Sequence, residues 1–158
     1  MIALVALGSN LGDRAGHLQA GLRALEGLGP VHPSPLTVET PDEGGRGPAY
    51  LNTVARLEVP LTDVRDLLES LLRIELAMGR DRTQGPGAPR TLDLDLVAVL
   101  GVRGVFRWNA PPDLASLGPS LLLELPHPRA FGRSFVREPW QAIEGELPPG
   151  LRARDIAK

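Results

Sequence analysis

The chain has 158 residues, 42% of them hydrophobic and 23% charged, with a formal net charge of −2 and no cysteine. That length fits one domain, 1–158, able to bury a core, and the composition excludes a disordered chain, a disulfide framework and a thiolate zinc site. The balanced charge argues against a bulk nucleic-acid binder, and no apolar run reaches the roughly 20 residues a membrane helix needs.

Residues 2–7 form a continuous apolar run without a basic segment or cleavage site, so they read as a buried strand and not as a secretion signal. A cytoplasmic protein that binds neither nucleic acid nor membrane is the expectation. Gly8-Ser9-Asn10-Leu11-Gly12 breaks the run as a turn, and Asp13 can cap a helix over about 14–28 with Leu18, Leu22 and Leu25 on one face. Gly27–Pro30 stops that helix. Leu36–Thr40 is a short strand, and the Gly- and Pro-rich stretch 41–48 is a loop. Tyr50–Val59 alternates with strand period, Leu51, Thr53, Ala55, Leu57 and Val59 on one face and Tyr50, Asn52, Val54, Arg56 and Glu58 on the other.

Thr62 is the expected cap of a second helix that ends at Gly79, with Val64, Leu67, Leu68, Leu71, Ile74 and Met78 as its apolar stripe and Glu75 at the stripe's edge. Arg80–Arg90 is a loop of arginines, glycines and prolines with nothing apolar to dock it, which predicts a mobile segment that closes on bound phosphates. Thr91–Leu100 is a strand, Gly101–Gly104 a hairpin connection into Val105–Trp108, and short helices are expected at 133–138 and 151–156. Up to residue 100 the order is strand, helix, strand, strand, helix, strand. That is the ferredoxin-like βαββαβ arrangement, an α+β fold with an antiparallel sheet, both helices on one face and a C-terminal extension.

The sharpest local feature is Arg90-Thr91-Leu92-Asp93-Leu94-Asp95-Leu96. On a strand, residues i and i+2 point the same way, about 6.6–7 Å apart along the chain. Asp93 and Asp95 then share one face, and the leucines share the other. Two such carboxylates suit one or two Mg²⁺ ions completed by nucleotide phosphates; the plainer alternative is the wetted face of an amphipathic strand. Arg80, Arg82 and Arg90 lie beside the pair in sequence, and arginines with metal are what phosphoryl transfer needs. No G-x-x-x-x-G-K-[ST] or G-x-G-x-x-G phosphate loop occurs. Tyr50 and Asn52 share a strand face, and an Asn amide can read a heterocycle edge. His127 sits between two prolines. A metal-dependent nucleotidyl transferase or nuclease, and a non-catalytic regulatory module, compete with a small-molecule kinase at this point.

Taken in order, Gly8-Ser9-Asn10-Leu11-Gly12, Tyr50-Leu51-Asn52, Arg73-Ile74-Glu75 with Met78-Gly79-Arg80, Pro89-Arg90-Thr91-Leu92-Asp93-Leu94-Asp95, Pro126-His127-Pro128-Arg129 and Arg133-Ser134-Phe135 resemble the 6-hydroxymethyl-7,8-dihydropterin pyrophosphokinase family over roughly residues 1–140. The resemblance implies transfer of the β,γ-diphosphoryl group of ATP to the pterin hydroxymethyl oxygen, releasing AMP. It implies two Mg²⁺ ions on Asp93 and Asp95, with Arg80 and Arg90 beside them in catalysis. Thr40, Pro41, Tyr50, Asn52 and Phe135 are implied for the pterin, Asn52 reading the ring edge and Phe135 stacking. Glu75, Arg82, His127 and Arg133, with Arg80 and Arg90, are implied for nucleotide and phosphate. A monomer is expected. The chain departs from the family pattern in having Gly87 or Ala88 where the loop usually carries a Trp, Leu72 where a polar nucleotide contact is common, and a longer stretch between Asp95 and His127.

Overall fold

A computed structural model describes residues 1–42, 44–45, 47–79 and 91–156. The loop 80–90, which holds Arg80, Arg82 and Arg90, lies outside the described residues, and so do the expectations placed on it. The elements run β1 (Ile2–Ser9), α1 (Arg14–Glu26), β2 (Val31–Pro33), β3 (Val38–Thr40), β4 (Tyr50–Glu58), α2 (Val64–Ala77), β5 (Asp93–Val99), β6 (Gly104–Asn109), a 3₁₀ turn (Pro112–Leu117), β7 (Ser120–Leu125), α3 (Ser134–Ala142), a second 3₁₀ turn (Glu144–Glu146) and α4 (Ala153–Ile156).

The principal sheet has the order β2-β4-β1-β5, with β3 also pairing β4, and every pair is antiparallel. This is the ferredoxin-like order. Its second strand is split into β2 and β3, which pair successive stretches of β4 on the same edge. Pro33 and Pro35 explain the break, because proline cannot donate to a ladder and is tolerated at an edge. Val31–Pro33 carries no alternation of its own, and it was not anticipated as a strand.

The apolar run of β1 places that strand in the middle, buried on both faces. One face packs on α1 and α2 through Leu7, Leu57, Leu94 and Leu96 against Leu18, Leu22, Leu25, Leu67 and Leu71. Asp13 caps α1 by accepting from the Gly16 N–H at 3.0 Å. The cap of α2 is Asp63, accepting from the Arg65 N–H at 2.9 Å, and not Thr62. A carboxylate one residue nearer the first turn complements the helix dipole better than a hydroxyl does. The opposite face carries Leu4, Ala6, Val54, Val97 and Ala98, covered by Val136, Trp140, Ile143, Leu147 and Leu151 of the C-terminal extension. A register shift in the β1–β5 ladder between Leu4 and Val5 lets Val97 and Ala98 both join this cluster.

The expected hairpin at 101–104 is corrected. A single bridge joins Val99 and Val102, and β6 then leaves the principal sheet to pair with β7. The longer stretch before His127 is therefore an arm. It packs on α2 through Trp108 and Leu114 against Leu72, the Trp108 indole N–H donates to Glu69 at 3.2 Å, and Arg73 pairs with Asp113 at 2.7 Å. Leu72 is thus an apolar contact for the arm.

Candidate active site

The two faces of the sheet are not covered alike. α3 and the segment after it cap the face bearing Ala6 and Val54, but only as far as Phe135 and Val136 at the start of the helix. Beyond them the same sheet face lines a cavity of about 370 Å³. Its floor can be read from the register. Gly8 lies opposite Asn52 on one side and opposite Asp93 on the other, and Ala6 lies opposite Val54 and Asp95. Directly opposed residues in an antiparallel ladder project to the same face. Asn52, Gly8 and Asp93 therefore form one row across three strands, with Asp95 in the next row. The walls come from Thr40, Pro41, Asp42, Gly44 and Tyr50 on the β3–β4 side and from Arg129, Arg133 and Phe135 on the other.

The loop before β4 is tied down by the turn after β1. The Asn10 amide donates to the Pro48 carbonyl at 3.2 Å, and the Arg14 guanidinium donates to the Ala49 carbonyl at 2.8 Å and pairs with Glu39 at 3.6 Å. Gly8-Ser9-Asn10 thus works as an anchor that fixes Thr40 and Pro41 beside the floor. Asn52 is buried, and its Nδ2 donates to the Val38 carbonyl at 3.0 Å, so the amide has one orientation.

Asp93 and Asp95 are half-buried, and the leucines between and beside them point into the helix-covered face. Glu75 reaches this strand from α2. It is 2% exposed and accepts from the Leu94 N–H at 2.9 Å. Because that N–H goes to Glu75, it points away from β1, and the carboxylate satisfies a donor on the edge of the sheet. Glu75 therefore holds the residue between the two aspartates and is not among the described lining residues.

His127 is carried by the loop between β7 and α3. Its backbone N–H donates to the Val97 carbonyl at 2.7 Å, and its Nδ1 accepts from the Arg129 N–H at 3.2 Å, which leaves the neutral ring's proton on Nε2. Burial, then the Arg133 and Arg129 guanidinium groups, push its pKa below the ordinary imidazole range, and Glu124 opposes them. A folded-state pKa below the unfolded one means that the unfolded chain binds the proton more readily, so stability falls as pH drops through the histidine range, from about pH 7 to 5. Denaturant unfolding at both pH values should show a smaller loss for His127→Gln than for the wild type. An equal loss would exclude a neutral imidazole held by this loop.

Among the described residues, Arg129 and Arg133 make no ion pair with a carboxylate, and the Arg133 guanidinium lies 5.8 Å from the centre of the Phe135 ring. Two guanidinium groups facing two carboxylates across one cavity suit an anion bridged to a cation. Of the residues singled out in the sequence, Thr40, Pro41, Tyr50, Asn52, Asp93, Asp95, Arg133 and Phe135 come together here. Gly8, Asp42 and Arg129 were missed as lining residues. Arg129 had the same signal as the other loop arginines, and Gly8 was hidden by its reading as a turn residue.

Among the described residues no group of three or more His, Cys, Asp and Glu side chains could hold a metal ion alone. A two-carboxylate site fits Mg²⁺ when phosphates supply further oxygens. No helix among the described residues is long and apolar enough to cross a membrane.

Comparison with known proteins agrees with this geometry. The family described as 7,8-dihydro-6-hydroxymethylpterin-pyrophosphokinase matches residues 4–145. A 2-amino-4-hydroxy-6-hydroxymethyldihydropteridine pyrophosphokinase of Mycobacterium tuberculosis is 34% identical over 144 residues, 89% of this chain and 71% of its own. The protein of the same name in Pseudomonas aeruginosa is 36% identical over 154 residues, 96% of this chain and 83% of its own. A folic acid synthesis protein of Schizosaccharomyces pombe is 32% identical over 149 residues, 92% of this chain but 18% of its own length.

Proposed function

The chain belongs to the 7,8-dihydro-6-hydroxymethylpterin-pyrophosphokinase family, and from that membership we propose how its own residues perform the reaction. It is a pyrophosphokinase of folate biosynthesis: the diphosphoryl group of ATP passes to the hydroxymethyl oxygen of 6-hydroxymethyl-7,8-dihydropterin, giving AMP and the pterin diphosphate. The observation that carries the residue assignment is the row Asn52, Gly8, Asp93 on the floor of one cavity, with Asp95 beside it.

In this reading Asn52 fixes the pterin edge, and Tyr50 and Phe135 flank its ring. Thr40 and Pro41 close the near side. The ring so held directs its hydroxymethyl arm toward Asp93 and Asp95. These two carboxylates would hold two Mg²⁺ ions, which when bound neutralise phosphate charge and lower the pKa of the hydroxymethyl group. No protein base is then needed. Arg133 meets the transferring phosphates from the opposite wall, and His127 can donate from Nε2 while uncharged. Glu75 supports the nucleotide side by fixing β5. Arg80, Arg82 and Arg90 complete the phosphate contacts, as the family resemblance implies; catalysis of this kind rests on position and charge. In this reading the enzyme works as a monomer, organised as one domain over 1–158, in the cytoplasm, the compartment an ATP-consuming step calls for.

Product analysis tests the reaction. With ATP, Mg²⁺ and the pterin, AMP should appear in equal amount with a pterin diphosphate. ADP with a pterin monophosphate would overturn the assignment.

A further inference from the structure

Arg129 stands in the loop between β7 and α3, and its backbone and its side chain are held very differently. The backbone is fixed. Its N–H donates to the His127 Nδ1 at 3.2 Å, the Ala130 N–H donates to the His127 carbonyl at 3.3 Å, and Ala130 is buried in the core under the C-terminal extension. The guanidinium is exposed, lines the cavity and, among the described residues, makes no hydrogen bond, ion pair or ring contact. Arg14, Arg73 and Arg137, by contrast, donate to protein oxygens at 2.8, 2.7 and 3.0 Å, and Arg133 rests against the Phe135 ring.

An arginine whose Cα is fixed and whose donors are uncommitted is set to meet an anion without ordering more backbone. Its position says at which stage the anion arrives. Arg129 shares the cavity with Asp93, Asp95 and Phe135, on the side that the pterin occupies in the pyrophosphokinase reading. It is also close enough to His127 to help hold that imidazole uncharged. In the reaction the hydroxymethyl oxygen bonds to the β-phosphorus of ATP, and the bond from that phosphorus to the oxygen bridging it to the α-phosphate breaks. The bridging oxygen leaves with AMP, and the hydroxyl proton passes to water. The diphosphoryl group thus moves from the nucleotide toward the cavity that Arg129 lines. A contact that forms only as the group arrives favours the transition state and the product over the bound substrates.

We propose that Arg129 is a further catalytic residue of this enzyme: its guanidinium takes the diphosphoryl group as it leaves the nucleotide and stays on it in the pterin diphosphate. The proposal rests on the pyrophosphokinase reading and adds to it a contact specific to the product side. Because the hydrogen bond to His127 comes from the Arg129 main chain, changing the side chain leaves the imidazole's tautomer in place.

The test is Arg129→Gln, titrated separately with 6-hydroxymethyl-7,8-dihydropterin diphosphate and Mg²⁺, with a non-hydrolysable MgATP analogue, and with 6-hydroxymethylpterin alone. Affinity for the pterin diphosphate should fall by about tenfold or more, as the loss of a hydrogen bond to a charged group produces, and the single-turnover rate should fall with it. Affinities for the MgATP analogue and for 6-hydroxymethylpterin should each change by less than about twofold, as expected of contacts Arg129 does not share. An unchanged affinity for the pterin diphosphate overturns the proposal. An equal loss for the MgATP analogue also overturns it, because the contact would then precede the transfer. Should Arg129→Gln not fold, the unmodified protein decides. The Arg129 Nε–H resonance should shift on adding the pterin diphosphate with Mg²⁺ and stay in place on adding 6-hydroxymethylpterin, and a resonance unmoved by the diphosphate overturns the proposal. A wild-type protein that makes AMP beside an Arg129→Gln variant of normal product affinity would sink this inference alone. A wild-type protein that makes no AMP would sink the pyrophosphokinase reading beneath it.

Discussion

Asp93→Asn and Asp95→Asn should each cut turnover by about a thousandfold or more, measured at saturating ATP, Mg²⁺ and pterin. The two side chains share a sheet face in the cavity, and each substitution keeps the shape of the side chain while removing its charge. A carboxylate that holds a cation bridging phosphates is worth several kcal/mol in the transition state, and each 1.36 kcal/mol is about tenfold in rate. The fold should survive, because both residues are only half-buried and the helix-covered face beneath them is held by Leu92, Leu94 and Leu96. Either variant retaining near-normal turnover would remove the aspartates from the mechanism.

Trp140→Ala should produce the largest loss of stability in the chain. The indole is fully buried, its N–H donates to the Leu151 carbonyl at 2.9 Å, and the Phe131 ring stands edge-on to it at 6.5 Å and 79°. Truncation leaves a large cavity and a buried carbonyl without its donor, a cost of about 3–5 kcal/mol. For a domain of this size the midpoint should fall by roughly 10 °C. Because Trp140 joins the C-terminal extension to Leu4, Ala6 and Val54 of the sheet, unfolding should remain a single transition shifted as a whole. Two separated transitions would show that the extension is not one unit with the sheet. Trp140→Phe should recover much of the loss, since it restores volume without the N–H donor.

The elements most legible in the sequence were those with a strong period. β4 alternates over nine residues and α2 carries a full apolar stripe, so both were placed closely. The split second strand was not legible, because three residues ending in proline carry no alternation and its pairing depends on β4 alone. β7 was missed for a related reason. Its Leu121-Leu122-Leu123 run has no polar face to mark it as a strand, and its partner β6 lies beyond an intervening 3₁₀ turn.

The site divides in the same way. Asp93 and Asp95 could be paired from the chain because i and i+2 share a face by covalent geometry. That Asn52 and Gly8 stand in line with Asp93 is a matter of register between strands more than 40 residues apart, which no local pattern encodes. Glu75 shows the limit from the other side. At the edge of a helical stripe it read as a boundary residue, and only the packing of α2 against β5 buries it against the Leu94 N–H.

The central claim is that the paired carboxylates bring the two substrates to one point, and calorimetry of pterin binding tests it most directly. Titrated with 6-hydroxymethylpterin, the wild-type protein should bind at least about fivefold more tightly when the non-hydrolysable ATP analogue and Mg²⁺ are both present than when either is missing, and by linkage the pterin must tighten the analogue by the same factor. In Asp95→Asn that gain should vanish while the affinity for pterin alone is kept. A pterin affinity that ignores Mg²⁺ and nucleotide in the wild type, or a gain that persists in Asp95→Asn, would contradict the account.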